Sequence, residues 1–454
     1  MTQTPLGWLG IIRLGLVQTA LGAIVVLTTS TMNRVMVVEL ALPAMLPGAL
    51  VALHYAIQLL RPRFGYGSDV GGRRTPWIIG GMAVLALGGV GAAVGTAWIA
   101  SNPIAGIALA TLAFVLIGAG VGAAGTTLLV LLAQRVDPAQ RAAAASIVWI
   151  MMIAGFVITA TVAGHFLDPF SPMRLVAVTA TVAAAAFVLT LIALANIEGQ
   201  PAPAPSLAAE SSQSTGFRKA LAEVWAEPQA RRFAIFVFVS MLAYSAQDLI
   251  LEPFAGLVFG YTPGESTKLS GVQHGGVLLG MILVGLAGSA RACAWFGGRP
   301  GSLRGWTIGG CLASAAALLA LAIAGFVGPL WPLRASVFVL GVANGAFAVA
   351  AIGSMMGLVA AGRKRREGLR MGLWGAAQAI AFGLGGFLGT AAIDLTRALF
   401  TSPVPAYAVV FAGEGLMFLV AAGLAARVGA DDRGRALGLA PAAAGGVSIV
   451  GAGR

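Results

Sequence analysis

The stretch Gly65-Tyr-Gly-Ser-Asp69-Val-Gly-Gly72-Arg73-Arg74 decides how this sequence of 454 residues is interpreted. Its glycines allow a tight turn. Asp69 can lie at the end of a helix, where the neighbouring arginines can pair with its carboxylate. Long apolar runs at residues 46–63 and 76–98 flank the stretch. It therefore has the make-up of a short polar loop that joins two membrane-spanning helices.

The composition of the chain is that of a membrane protein. Hydrophobic residues make up 58% of it and charged residues 10%, whereas a soluble domain carries about 25% charged residues. Apolar runs of about 20 residues, enough to cross a bilayer, recur between turn residues and charges. We therefore predict an all-α integral membrane protein with twelve transmembrane helices. They cover residues 9–32, 46–63, 76–98, 104–134, 142–167, 173–196, 232–253, 270–295, 305–328, 333–361, 369–395 and 404–427.

Basic residues are distributed unevenly between the predicted loops. The formal net charge of +12 would suggest a nucleic-acid partner if the protein were soluble. With the amino terminus in the cytoplasm, however, 23 of the 28 Lys and Arg residues fall on the cytoplasmic side, as the positive-inside rule requires. The excess charge therefore predicts an orientation, with both termini cytoplasmic, and no nucleic-acid partner.

The predicted helices fall into two groups of six. Residues 1–196 would form the N-terminal half and residues 232–427 the C-terminal half, with a cytoplasmic linker at 197–231 and a flexible cytoplasmic tail at 428–454. The linker begins with Pro-Ala-Pro-Ala-Pro and ends in a short amphipathic helix. That helix would lie either on the membrane surface or against a partner protein.

The two halves repeat each other in sequence. Arg74-Thr-Pro-Trp-Ile-Ile-Gly-Gly81 and Leu303-Arg-Gly-Trp-Thr-Ile-Gly-Gly310 are 229 residues apart, and Trp149 and Trp374 are 225 apart. Similar offsets in the same order indicate that a six-helix unit was duplicated. Duplication predicts two pseudosymmetric halves.

The polar loop resembles the Gly-x-x-x-Asp-x-x-Gly-Arg-Arg loop of the major facilitator superfamily, and it stands at the place where that superfamily carries it. The resemblance implies the superfamily's fold of two pseudosymmetric six-helix halves. It also implies a cytoplasmic gate motif that holds the halves together. The motif residues are Gly65, Asp69, Gly72, Arg73 and Arg74.

Longer strings resemble a narrower group, the PucC or bacteriochlorophyll-delivery family. They are Arg13-Leu-Gly-Leu-Val-Gln18, Thr31-Met-Asn-Arg-Val-Met-Val-Val-Glu39, Ala243-Tyr-Ser-Ala-Gln-Asp-Leu-Ile-Leu-Glu-Pro-Phe254 and Leu269-Ser-Gly-Val-Gln-His-Gly-Gly276. The resemblance covers nearly the whole chain up to about residue 427. The compact loop is most similar to the branch encoded among bacteriochlorophyll genes, whose label makes it a chain of bacteriochlorophyll synthase.

This resemblance implies a role in late bacteriochlorophyll biosynthesis and light-harvesting complex assembly, in the intracytoplasmic photosynthetic membrane of a bacterium. The implied ligand is bacteriochlorophyll a or its geranylgeranylated precursor. The implied partners are geranylgeranyl reductase, bacteriochlorophyll synthase and the antenna polypeptides. The rival hypothesis is a secondary transporter of an amphipathic small molecule.

The residues argue against catalysis by this chain. Attaching a prenyl group requires a diphosphate leaving group, which clustered aspartates hold through Mg²⁺. The only adjacent aspartates, Asp431 and Asp432, lie in the tail. The only Gly-x-Gly-x-x-Gly, at Gly120–Gly125, lies inside an apolar run with no strand before it, so it does not predict a dinucleotide site. We therefore expect no enzyme activity, no catalytic cofactor and no protein metal site.

Four charged residues lie where two predicted spans end on the outer side. Arg34 and Glu39 close the first span, and Asp248 and Glu252 lie near the outer end of the seventh. Pseudosymmetry makes these spans neighbours, so we predict an outer-side charge pair between Arg34 and Asp248. The alternative is that each charge is solvated separately.

Polar residues inside the other spans are candidates for ligand binding. His54 and His274 can each offer a neutral imidazole to the magnesium of a tetrapyrrole, with Gln58 and Gln273 beside them. A bond to a neighbouring helix is the simpler role for either histidine. Glu414, in the middle of the last span, is either a proton relay or a neutral, hydrogen-bonded carboxyl.

Overall fold

The computed structural model describes residues 6–61, 63–64, 73–137, 140–198, 225–287, 302–361 and 367–428. These residues form twelve long helices. In chain order they are α1 (Trp8–Glu39), α2 (Met45–Leu60), α3 (Thr75–Ile99), α4 (Pro103–Arg135), α5 (Arg141–Phe166), α6 (Pro172–Leu194), α7 (Pro228–Phe259), α8 (Pro263–Ala287), α9 (Leu303–Val327), α10 (Leu333–Ala361), α11 (Glu367–Leu399) and α12 (Pro403–Arg427).

Several helices begin where proline follows a capping side chain. Proline suits the first helical turn because the N–H that it lacks has no partner there. Asn102 caps α4 by accepting from the N–H of Ala105 at 3.2 Å, and Ser171 caps α6 by accepting from the N–H of Arg174 at 3.1 Å. These caps satisfy backbone donors at the membrane surface.

Eleven helices of the described chain are long and apolar enough to cross a membrane, and α2 is shorter. The predicted fold class is therefore confirmed. Of the boundaries that differ from the prediction, two differ by seven residues: α1 continues from residue 32 to Glu39, and α8 begins at Pro263 rather than at residue 270. Polar and charged residues cause both differences. Their side chains, such as Thr31 and Thr267, are buried against helices of the other half, so they do not end the spans.

The packing of the helices repeats in the two halves. In the first, α1 packs against α5 and α6, and α3 against α4 and α6; in the second, α7 packs against α11 and α12, and α9 against α10 and α12. Each half has its own hydrophobic core, centred on residues such as Phe114 and Phe347. The halves meet where α5 lies against α8, α2 against α11, and α1 against α7.

Glycines let α3 and α4 approach closely. A Cβ added at Gly81 would lie 2.6 Å from the backbone nitrogen of Ala124, and one added at Gly95 would lie 2.8 Å from that of Ala110. Small residues of this kind are what lipid-embedded helices use to bring their backbones together. The Gly-x-Gly-x-x-Gly at Gly120–Gly125 belongs to this packing, since a Cβ at Gly120 would lie 2.6 Å from the nitrogen of Leu85.

Candidate functional site at the interface between the halves

Buried polar side chains of α1 cross the interface between the halves. Thr31 Oγ1 and Thr267 Oγ1 are 3.0 Å apart, and Asn33 Nδ2 donates to the carbonyl of Leu249 at 2.5 Å. Ser30 donates to the carboxylate of Glu252. These contacts lie towards the end of the bundle where α1 ends and α2 begins. We call this the outer end, because the distribution of basic residues predicts that it faces away from the cytoplasm.

Arg34 is buried at the outer end, but its partner is not the predicted one. Its guanidinium forms an ion pair with Glu39 and donates to the carbonyl of Tyr261 at 2.6 Å. The predicted pairing of Arg34 with Asp248 is therefore wrong. Arg34 extends towards the carboxyl ends of α1 and α7, where backbone carbonyls also attract a cation. The carboxylate of Asp248 instead accepts from Gln273 Nε2 at 3.0 Å.

Glu252 belongs to the same outer group of polar residues. Besides the bond from Ser30, it interacts electrostatically with Arg34. Ser30 Oγ also lies 3.1 Å from Ser270 Oγ of α8, so three helices contribute to one buried network. Of the four residues predicted to form the outer charge group, the structure joins Arg34, Glu39 and Glu252 and leaves Asp248 with α8.

His54 is bonded to its own helix. Gln58 Nε2 donates to His54 Nε2 at 2.8 Å, and Arg61 donates to the amide oxygen of Gln58. This hydrogen bond lies within α2 and does not join His54 to a neighbouring helix. Because the amide uses the lone pair on Nε2, the other ring nitrogen must carry the proton of the neutral imidazole. Nδ1 is buried and has no hydrogen-bond partner among the residues that the structure describes, so the ring keeps no free acceptor for a metal.

His274 has the opposite arrangement. Its Nδ1 donates to the carbonyl of Ser270 at 2.9 Å, which leaves the lone pair on Nε2. Nε2 makes no hydrogen bond within the part of the chain that the structure describes. The ring packs edge-on against Phe156 of α5 at 4.9 Å between centroids. Histidines that ligate metals commonly hold their second nitrogen in this way, by donating it to a backbone carbonyl.

Glu414 is buried on α12, and neither of its carboxylate oxygens has a hydrogen-bond partner within the described segments of the chain. It interacts electrostatically with Asp248 of α7. Two carboxyl groups therefore lie near each other inside the bundle. A single unpaired charge at such a place is costly in a bilayer, so a proton relay remains a prediction for Glu414.

An apolar crevice opens between α2 and α11. Its volume is about 360 Å³. Leu59 and Leu384, at its edge, are 57% and 44% exposed, so the crevice is open on the outside of the bundle, where lipid lies. His54 and Gln58 do not line it. The lining residues are Ala52, Leu53, Tyr55, Ala56, Leu59, Ala379, Ile380, Gly383, Leu384 and Phe387.

The predicted gate motif is described only at its end. Gly65, Asp69 and Gly72 lie outside the described residues. Arg73 is exposed, whereas Arg74 is buried and donates to the amide oxygen of Gln134 at 2.8 Å. Glu198 accepts from the backbone N–H groups of Arg74 and Thr75, both at 2.7 Å. The carboxylate thus caps the start of α3 within the N-terminal half.

Two aspartates at the outer end were not recognised from the sequence. Asp394 of α11 accepts hydrogen bonds from the start of α2, and Asp168, just beyond α5, accepts them from the start of α8. They are 226 residues apart, within the range of offsets that reveals the duplication. That offset is the signal that could have identified them as a pair.

Comparison with known proteins gives the family and the fold. A family model described as "PUCC protein" matches residues 31–432. The chain is 54% identical over 427 residues to the "Bacteriochlorophyll synthase 44.5 kDa chain" of Rhodobacter capsulatus, covering 93% of this chain and 96% of that protein. It is 30% identical to "Protein PucC" of the same species, with coverage of 92% and 91%.

Among solved structures, the nucleoside transporter NupG matches with a TM-score of 0.67. The match covers 92% of this chain and all of that one at 14% identity. At this identity the likeness concerns the fold alone, which is that of major facilitator transporters.

Proposed function

This chain belongs to the PucC family, and we propose that it binds bacteriochlorophyll, or the geranylgeranylated precursor, within the photosynthetic membrane and hands it on. In this proposal the chain itself catalyses nothing. It would serve geranylgeranyl reductase and bacteriochlorophyll synthase, or the antenna polypeptides, as a pigment-carrying partner. The proposed location is the bacterial inner membrane, in its intracytoplasmic photosynthetic part.

The observation that carries the proposal is the geometry of His274. A magnesium tetrapyrrole takes one axial ligand, and a neutral imidazole with a free Nε2 suits that position. His274 offers this nitrogen from a buried helix, whereas His54 does not. Of the two predicted histidine ligands, His274 is therefore the one whose hydrogen bonding leaves a nitrogen available to magnesium.

The crevice between α2 and α11 supports the proposal with respect to the prenyl tail of the pigment. A prenyl tail is pure hydrocarbon and gains by contact with an apolar surface. The residues that line the crevice are apolar apart from the hydroxyl of Tyr55. A tail dissolved in the bilayer reaches such a crevice without crossing water.

The experiment is an absorption spectrum of the protein purified gently from phototrophic cells, with mass spectrometry of the extracted pigment. We expect stoichiometric bacteriochlorophyll in the unaltered protein. His274→Ala should lose most of it, because the hydrogen bond from Gln58 leaves His54 no free nitrogen to replace the ligand. His54→Ala is the matched control and should keep the pigment. Equal pigment in both variants would contradict the assignment to His274.

The remaining outcomes separate this function from its rival. The degree of saturation of the pigment tail would show whether the protein acts before or after the step catalysed by geranylgeranyl reductase. A colourless protein that retains reductase or synthase would indicate that it anchors enzymes. A colourless protein without them, together with a normal pigment profile after gene disruption, would favour a transporter of another amphipathic molecule.

A further inference from the structure

Asp394 binds the first turn of a helix in the other half. Its Oδ1 accepts from the backbone N–H of Ala44 at 2.9 Å, and its Oδ2 accepts from that of Met45 at 2.7 Å. Met45 begins α2, whose own sequence offers no capping side chain. The carboxylate therefore satisfies two free donors and places a negative charge at the positive end of the helix.

Asp168 makes the corresponding contact on the other side of the bundle. Its Oδ2 accepts from Thr262 Oγ1 at 2.7 Å, and its Oδ1 accepts from the backbone N–H of Gly264 at 3.1 Å. These groups lie at the start of α8. Helix α8 also has a cap of its own, since Thr262 and Glu265 exchange hydrogen bonds at 3.0 and 3.1 Å.

The two contacts are reciprocal. Asp168 follows α5 of the N-terminal half and caps α8 of the C-terminal half, whereas Asp394 lies in α11 of the C-terminal half and caps α2 of the N-terminal half. The residues four positions earlier, Gly164 and Thr390, also face the helices that are capped. Asp168 and Asp394 are 226 residues apart, and so are Gly164 and Thr390.

We propose that Asp168 and Asp394 form a two-part latch that holds the outer end of the halves together. Separating the halves at this end pulls each carboxylate away from the helix that it caps, so both contacts must break in the same movement. The latch involves only residues at the outer end. The proposal of a latch is therefore independent of the proposed function as a pigment carrier.

The test measures the separation of the halves at the outer end. Spin labels at Ile104→Cys and Leu330→Cys report it, because these side chains are 84% and 90% exposed and lie at the outer ends of α4 and α9. The native cysteines are replaced, Cys293→Ser and Cys311→Ala. Pulsed electron paramagnetic resonance in lipid nanodiscs then gives the distance distribution.

We expect the unaltered latch to give one main distance. Asp394→Asn replaces a charged acceptor with an amide whose NH₂ group must meet one of two backbone donors. Asp168→Asn removes the negative charge that faces the start of α8. Each should raise the ratio of open to closed molecules roughly tenfold, the effect of losing a charge-assisted hydrogen bond. The double variant should show the product of the two effects, since the sites are separate, as a second and longer distance.

Glu265→Gln is the matched control. It removes an acidic side chain from the same end of α8, but its contact with Thr262 lies within one half. It should leave the distance unchanged. An equal shift in this control, or an unaltered distribution in the double variant, would overturn the latch. If the double variant does not fold, the two single variants decide, because each keeps one of the caps.

Discussion

The two lateral interfaces between the halves are related by the internal repeat, and both are tightly packed at the outer end, where a Cβ added at Gly48 of α2 would overlap Thr390 Oγ1 of α11. They differ further along the helices. At the α5/α8 interface, a Cβ added at Gly164 would lie 2.7 Å from the carbonyl of Gly264, and one added at Gly271 would lie 2.9 Å from Thr161 Oγ1. At the α2/α11 interface, a Cβ at Gly383 would lie 3.3 Å from the Cβ of Tyr55, and the crevice opens beside it.

This difference shows that some contacts between the halves are the same in both copies of the repeat, whereas the packing in the middle of the membrane is not. The reciprocal caps of Asp168 and Asp394 occur at both interfaces. The middle of the membrane differs, with His274 and close helix contact on one side and a lipid-facing opening on the other. We therefore expect a ligand dissolved in the bilayer to enter between α2 and α11 and not between α5 and α8.

The largest effect should come from adding one methyl group to the tightly packed α5/α8 interface. Gly164→Ala forces the backbones of α5 and α8 apart and should lower the free energy of unfolding by about 1–3 kcal/mol. Gly383→Ala is the comparison beside the crevice, and we expect a smaller loss there, since Tyr55 has room to shift and alanine favours a helix over glycine. Thermal unfolding in detergent measures both. Equal losses of stability would remove the contrast between the interfaces.

Filling the crevice should affect binding and not stability. Ala379→Phe places a ring among apolar lining residues, so the fold should tolerate it. If the pigment tail lies there, the ring should weaken pigment binding on the order of tenfold, or about 1.4 kcal/mol. The measurement is the pigment-to-protein ratio after purification. The control is Leu87→Phe, because Leu87 is 68% exposed on α3, away from the crevice. Ala350→Phe would not serve as a control, because Ala350 is fully buried.

The smallest effect concerns the histidine that is already bonded. Gln58→Leu removes the donor to His54 and should cost about 1 kcal/mol of stability. Bound pigment should not change, because His274 remains the ligand. A spectrum of the variant that shows more pigment would mean that freeing His54 creates a second site, and that the two histidines differ only in their hydrogen bonds.

The fold class could be predicted from the sequence because it depends on the lengths of the apolar segments and on the spacing of repeated residues. Apolar runs set the number of helices, and the offsets near 225 between pairs such as Trp149 and Trp374 indicate the duplication. Both follow from composition and spacing, and neither requires a knowledge of which side chains touch.

The contacts at the interface could not be predicted in the same way. Spacing placed Arg34 on a helix beside the one that carries Asp248, but it could not say how far one helix slides along the other. In the structure Arg34 lies beside the carbonyl of Tyr261, just beyond the end of α7, whereas Asp248 lies further back along α7 and accepts from Gln273 of α8. The contacts of Asp168 and Asp394 could not be predicted either, because three of their four donors are backbone N–H groups, which every sequence contains.

The crevice between α2 and α11 has a consequence for the lipid around the protein. An apolar opening of about 360 Å³ gains by contact with hydrocarbon, so we expect a lipid chain to fill it when no ligand is bound. A ligand that enters the crevice would then displace that chain. Its apparent affinity should therefore change with the lipid composition of the membrane.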